Sequence, residues 1–99
     1  MKTIDVNVKE WFDKVNGNSY FAGEIVLDYG TKEEKTLTMP FQYGYGDFYL
    51  QEASAVLEKE NLIQNNSYTS LTRYCRENEI ILRNSKIENC KQRELKAYK

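Results

Sequence analysis

The residues of this chain that could do chemistry are few, and their types restrict that chemistry. There is no histidine among the 99 residues. That removes the side chain most used as general base, proton shuttle and metal ligand. Cys75 and Cys90 stand fifteen positions apart without ligand partners at zinc spacing, so they predict no metal site and no metal cofactor. Two thiols in a reducing compartment are expected to be free, although spacing alone leaves a disulfide between them open. Cys75 falls on the apolar side of a helical pattern and reads as core. Cys90 lies among Lys86, Lys91 and Arg93, charges of the kind that activate a thiol. Glu33 and Glu34 read as a solvated loop tip, and Asp47 and Glu52 as a helix cap and an exposed helix face. The segment GYGDFY, residues 44–49, has the glycines of a phosphate loop but neither its lysine nor its spacing. The expectation is a protein that is not an enzyme and carries no cofactor.

Two features suit binding instead. Residues 41–49 hold five aromatics, Phe41, Tyr43, Tyr45, Phe48 and Tyr49, interrupted by Gly44, Gly46 and Asp47. The structural reading is that the phenylalanines and one tyrosine fill the core while the glycines set a bend. The functional reading exposes Tyr43, Tyr45 and Tyr49 around Asp47 as a protein interface, because tyrosine offers a large contact area at low entropic cost. The same rings would serve as a stacking platform for bases. The second feature is charge. Residues 1–82 carry 8 basic and 13 acidic side chains, a net of −5, and residues 83–99 carry 6 and 2, a net of +4. Lys86, Lys91, Arg93 and Lys96 are the candidate nucleic-acid-binding residues, unless they only solvate a charged tail. Aromatic and basic groups would form one surface only if the C-terminal segment folds beside the third strand.

The elements that must position these residues follow from periodicity. Thirteen aromatics argue for a folded chain, and its length predicts a single domain over residues 1–99. Asn16-Gly17 is a strong two-residue hairpin signal. With Val15 opposite Asn18, Phe12 faces Phe21, Val8 faces Ile25, Val6 faces Leu27 and Ile4 faces Tyr29, all on one face, while Lys9 faces Glu24 on the other. Glu10 opposite Gly23 breaks the apolar face, which an edge position or a bulge would explain. Leu37, Met39, Phe41 and Tyr43 alternate along a third strand, and Pro40 makes it an edge. That edge could pair across a dimer, and the sequence leaves the oligomeric state open.

Asp47 is placed to cap a helix over 48–60, with Tyr49, Leu50, Ala53, Val56 and Leu57 as its apolar stripe. Asn65-Asn66-Ser67 reads as a loop. A short helix follows, capped by Asn66 or Ser67, lined by Tyr68, Leu71, Tyr74 and Cys75, and closed by Asn78 in a left-handed conformation. Residues 79–83 then read as a strand and 93–98 as a weaker one. The predicted class is α+β: an antiparallel meander of three strands, two helices, then a C-terminal strand pair. The opening residues lack a long apolar run, so neither signal peptide nor membrane span is expected and the predicted location is the cytoplasm.

The phrases WFDKVNGNSYF, PFQYGYGDFYLQEA, RYCRENEIILR and ENCKQREL resemble short conserved proteins of bacteriophages. These share an aromatic-D-K-x-N-G-N-x-Y opening, an F-x-Y-G-Y-G-D centre and an N-C-x-x-R-E segment, so the resemblance spans residue 11 to about residue 98. It singles out Trp11, Asn16, Gly17, Asn18, Tyr20, Phe41, Tyr43, Gly44, Tyr45, Gly46, Asp47, Tyr74, Cys75, Asn89, Cys90, Arg93 and Glu94. It brings no established activity. It implies an accessory protein of the host cytoplasm that binds a host protein or complex, most sharply a defence complex in the manner of anti-CRISPR proteins. Direct nucleic-acid binding through the basic segment is the alternative, and sequestration of a small molecule at the hinge tyrosines is a further one.

Overall fold

A computed structural model describes residues 1–64 and 70–98. The loop signal at Asn65-Asn66-Ser67, with the caps and Tyr68 placed there, lies outside the described residues. The chain runs β1 (Thr3–Asp13), β2 (Asn18–Leu27), β3 (Lys35–Tyr43), α1 (Phe48–Lys59), α2 (Leu71–Glu77), β4 (Ile81–Ile87) and α3 (Gln92–Lys96). It is an α+β protein whose four-stranded mixed sheet has the order β3-β2-β1-β4. The meander of three strands and the first two helices stand as expected. The C-terminal strand pair does not: β4 lies parallel to β1, and the predicted second strand is the helix α3. Glu94 explains part of that difference, because its carboxylate accepts the Lys91 N–H at 2.6 Å and so closes the first turn.

The hairpin register is displaced by two residues from the expected one. Ile4 faces Leu27, Val6 faces Ile25, Val8 faces Gly23 and Glu10 faces Phe21. A shift of two preserves every face, so the apolar sets remain together. The cause is Asp13. Its carboxylate accepts from the Val15 and Asn16 N–H groups and from Asn16 Nδ2, and the Gly17 N–H closes back onto the Asp13 carbonyl at 2.7 Å. A four-residue loop, with Gly17 at φ +69, replaces the two-residue turn. Lys9 therefore faces Ala22 rather than Glu24.

The face under α1 and α2 holds the main core: Ile4, Val6 and Val8 of β1, Phe21, Ile25 and Leu27 of β2, Met39 of β3, Tyr49, Ala53 and Leu57 of α1, and Leu71 and Cys75 of α2. Helix α2 is capped by Ser70, whose hydroxyl accepts from the Arg73 N–H at 3.2 Å. Asn78 is not left-handed; Glu79 takes that conformation, at φ +56. On the opposite face α3 packs across β1, β2 and β3, with Leu95, Ala22 and Val26 buried there. None of the helices among the described residues is long and apolar enough to cross a membrane.

Strand β3 is an edge, as Pro40 required. Its pairing with β2 slips between Phe21 and Gly23. The slip turns Phe41 and Tyr43 away from the face that carries Leu37 and Met39, so the predicted four-residue alternation is broken at Pro40. It moves these two aromatic residues from the core side to the α3 side.

Candidate functional site

The site is built by strand register. Trp11 of β1 lies directly opposite Tyr20 of β2, and Tyr20 lies opposite Tyr43 of β3. The bulge brings Phe41 onto the same face. The rings form a ladder across three strands: Trp11 stacks on Tyr20 at 5.4 Å between centroids, and Tyr20 stacks on Phe41 at 5.1 Å with an interplanar angle of 10°. Tyr43 meets Tyr20 edge-on at 5.8 Å, and Tyr45 meets Tyr43 edge-on at 5.2 Å. Offset and edge-to-face contacts of this kind add to simple burial, because the positive ring edge meets the negative face.

The hinge after β3 holds the last ring. Gly44 donates its N–H to the Ser19 carbonyl at 3.0 Å. A Cβ there would sit 2.6 Å from the Phe21 ring and 2.8 Å from that of Phe48, so the chain can pass only without a side chain. Gly46 adopts φ +52. Tyr45 then reaches back across the sheet end and donates its hydroxyl to the Gly17 carbonyl at 3.2 Å. Hydrogen bonding with Tyr45 pushes the Tyr43 phenol above its ordinary value.

The predicted interface residues separate. Tyr43 and Tyr45 are 52% and 49% exposed, and Asp47 is exposed at the start of α1 without a capping hydrogen bond from its side chain. Tyr49 is only 4% exposed. It belongs to the core, and its hydroxyl donates to Asn84 Oδ1 at 3.2 Å. Its phenol is pushed up by burial first and by the Asp47 charge second. The expected exposure of Tyr49 is thus corrected, because the helix turns it inward beside Ala53 and Leu57. Phe48, expected in the core, stays 39% exposed and meets Phe21 edge-on.

The four basic residues separate as well. Lys86 lies on the α1 face, where its ammonium sits 3.3 Å from Glu10 Oε2 and donates to the Gly46 carbonyl at 3.2 Å. This pair explains the carboxylate that interrupts the apolar face, with Glu10 in an interior strand rather than at an edge. Lys91, Arg93 and Lys96 are exposed on or beside α3. Lys96 stands 5.8 Å over the Phe41 ring, so one basic group does meet the aromatic ladder. Glu94 pairs loosely with Lys9 at 4.0 Å, and Lys9 lies over the Tyr98 ring. These contacts dock α3 beside the ladder.

Cys75 and Cys90 are free. Cys75 is buried, and burial pushes its thiol up; Cys90 donates to the Ile87 carbonyl at 3.3 Å.

Trp11 and Tyr20 were legible only as members of a resembling motif. A register with Val15 opposite Asn18 sets Trp11 against Ala22 and hides the ladder. The signal that would have found it is Asp13, an Asx-type loop residue three positions before Asn16. Compared with protein-family models, with curated proteins and with solved structures, the chain finds no match.

Proposed function

We propose that this chain acts by binding a macromolecule through the end of the sheet where the hairpin loop and the aromatic hinge meet. Its most specific form is an accessory protein of phage type that inhibits or redirects a host protein complex, such as a defence complex. The observation that carries this reading is the company of Tyr43 and Tyr45. Both are about half exposed, yet each is held by ring contacts and Tyr45 by a hydrogen bond. A surface already held in place loses little entropy on binding. Val15 of the neighbouring hairpin loop is also exposed.

Nucleic acid is the second reading. It is favoured by Lys96 over Phe41, a pairing of cation and ring that also suits stacked bases. The two readings separate on salt. Phosphate contacts release counterions, so nucleic-acid affinity falls steeply as salt rises, whereas an interface centred on Tyr43 and Tyr45 depends weakly on salt. Retention of a partner by the immobilised chain, measured from low to high salt and with nuclease, tests the proposal. A protein retained throughout supports it. Material lost with nuclease and with salt would replace it by the nucleic-acid reading.

A further inference from the structure

The two edges of the sheet are unlike. On the β3 edge, Pro40 and the adjacent register slip interrupt regular pairing. Strand β4 forms the other edge. It has no proline, no glycine and no bulge, and it pairs with β1 without interruption from Ile81 to Ile87. The Ile81 N–H donates to the Lys2 carbonyl at 3.0 Å. Backbone groups of Ile81, Arg83, Ser85 and Ile87 therefore turn toward β1. Those of Leu82, Asn84 and Lys86 turn outward, where the sheet provides no partner.

The side chains follow a symmetric pattern about Asn84. Ile81 and Ile87 stand three residues to either side of it, share one face with Arg83 and Ser85, and are 61% and 58% exposed. We propose that β4 pairs with β4 of a second copy of this chain, antiparallel, about a two-fold axis through Asn84. In that register Asn84 pairs with itself and Leu82 with Lys86, so every hydrogen-bonded pair joins outward-turned backbone groups. Ile81 lies against Ile87 of the second copy at both ends, in the closer, non-hydrogen-bonded pairs. Arg83 lies opposite Ser85, and no like charges face one another. Arg83 is already neutralised by Asp5 at 2.7 Å, and Lys86 by Glu10.

Other registers are worse. A slip of one residue turns inward-facing backbone groups toward the partner. A slip of two in one direction sets Arg83 against Arg83, and in the other it leaves Ile81 opposite residue 89, beyond the strand. The chosen register makes a closed, isologous pair and one continuous eight-stranded sheet. The seam is shorter than a standard interface, so the dimer forms at high protein concentration.

The test has two arms, both in a Cys90→Ser background. Ile81→Cys and Ile87→Cys chains are oxidised with copper phenanthroline, separately and mixed. Opposed Cα atoms in the proposed register, a non-hydrogen-bonded pair, are about 4.5 Å apart, within disulfide reach, whereas like positions on the two copies are roughly 20 Å apart. A covalent dimer is expected in the mixture and not in either single solution. In sedimentation velocity, the mean mass is expected to rise with concentration toward twice that of the monomer. Ile81→Lys/Ile87→Lys should weaken association about tenfold or more, by opposing like charges at both ends, with an unchanged circular dichroism spectrum. A monomer at every concentration, equal cross-linking in the single solutions, or a dimer indifferent to the lysines would overturn the proposal.

Discussion

At the scale of single residues, three carboxylates carry much of the local structure. Asp28 sits at φ +51 and accepts from the N–H groups of Lys2 and Thr3, at 2.6 and 3.3 Å. Those bonds, the Lys2 one first, hold its carboxyl below the ordinary aspartate value, and Asn16 does the same for Asp13 through its side-chain amide. Groups lowered in the folded state stabilise it above the unfolded pKa, and that contribution is lost as pH falls through the folded one. The urea midpoint should therefore fall as the pH drops below the ordinary aspartate pKa of about 4, and Asp13→Asn/Asp28→Asn should flatten that dependence. An unchanged slope in the variant would remove these two residues from the account. Glu10 and Lys86 are paired with side chains only 16% and 19% exposed. Lys86→Met leaves Glu10 without its partner and should cost roughly 1–3 kcal/mol in urea titration. Adding Glu10→Gln should recover part of that loss, because the charge left behind causes most of it; additive losses would show that the two do not interact.

At the scale of elements, helix α1 was the most legible part, since its apolar stripe and the glycine hinge before it are local signals. Strand β3's edge position followed from one proline. The hairpin's faces were legible but its register was not, because Asn16-Gly17 suggested a tighter turn than the one Asp13 closes. The strand at 79–83 was found, but its parallel place beside β1 rests on contacts some 78 positions apart in the chain, such as Arg83 to Asp5, which no local pattern encodes. Helix α3 was misread as a strand because five residues carry little periodicity; its docking depends on Lys9, Phe41 and Leu95. Gly23 was noticed only as a gap in the apolar face. Its reason is spatial: a Cβ there would strike the Asn7 carbonyl oxygen and lie 2.6 Å from the Val8 Cα of the neighbouring strand. The β1 backbone cannot yield, so Gly23→Ala should destabilise by about 3 kcal/mol or more, at the severe end of single substitutions. Thermal unfolding measures this, and a Tm close to that of the wild type would contradict the tight approach of β2 to β1.

At the scale of the whole molecule, the described residues do not gather the charge asymmetry of the sequence into one basic patch. Arg83 and Lys86 are engaged by Asp5 and Glu10, on opposite faces of the sheet, and among the described residues of that segment Lys91, Arg93 and Lys96 remain exposed on or near α3. The aromatic ladder is the larger organised feature, and its exposed end, Tyr43 and Tyr45, lies on the β3 side, across the sheet from the β4 edge proposed for self-pairing. Binding and self-association are therefore separable by mutation. The most direct measurement of the proposed binding is a pull-down from bacterial lysate with nuclease, comparing the wild type with Tyr45→Ala and with Ile81→Lys/Ile87→Lys. A stoichiometric protein should be retained by the wild type and by the lysine variant. Tyr45→Ala should weaken its retention by about tenfold, the loss typical of a truncated contact residue, while its Tm stays close to that of the wild type. Equal retention by folded Tyr45→Ala, or no nuclease-resistant partner at all, would contradict it.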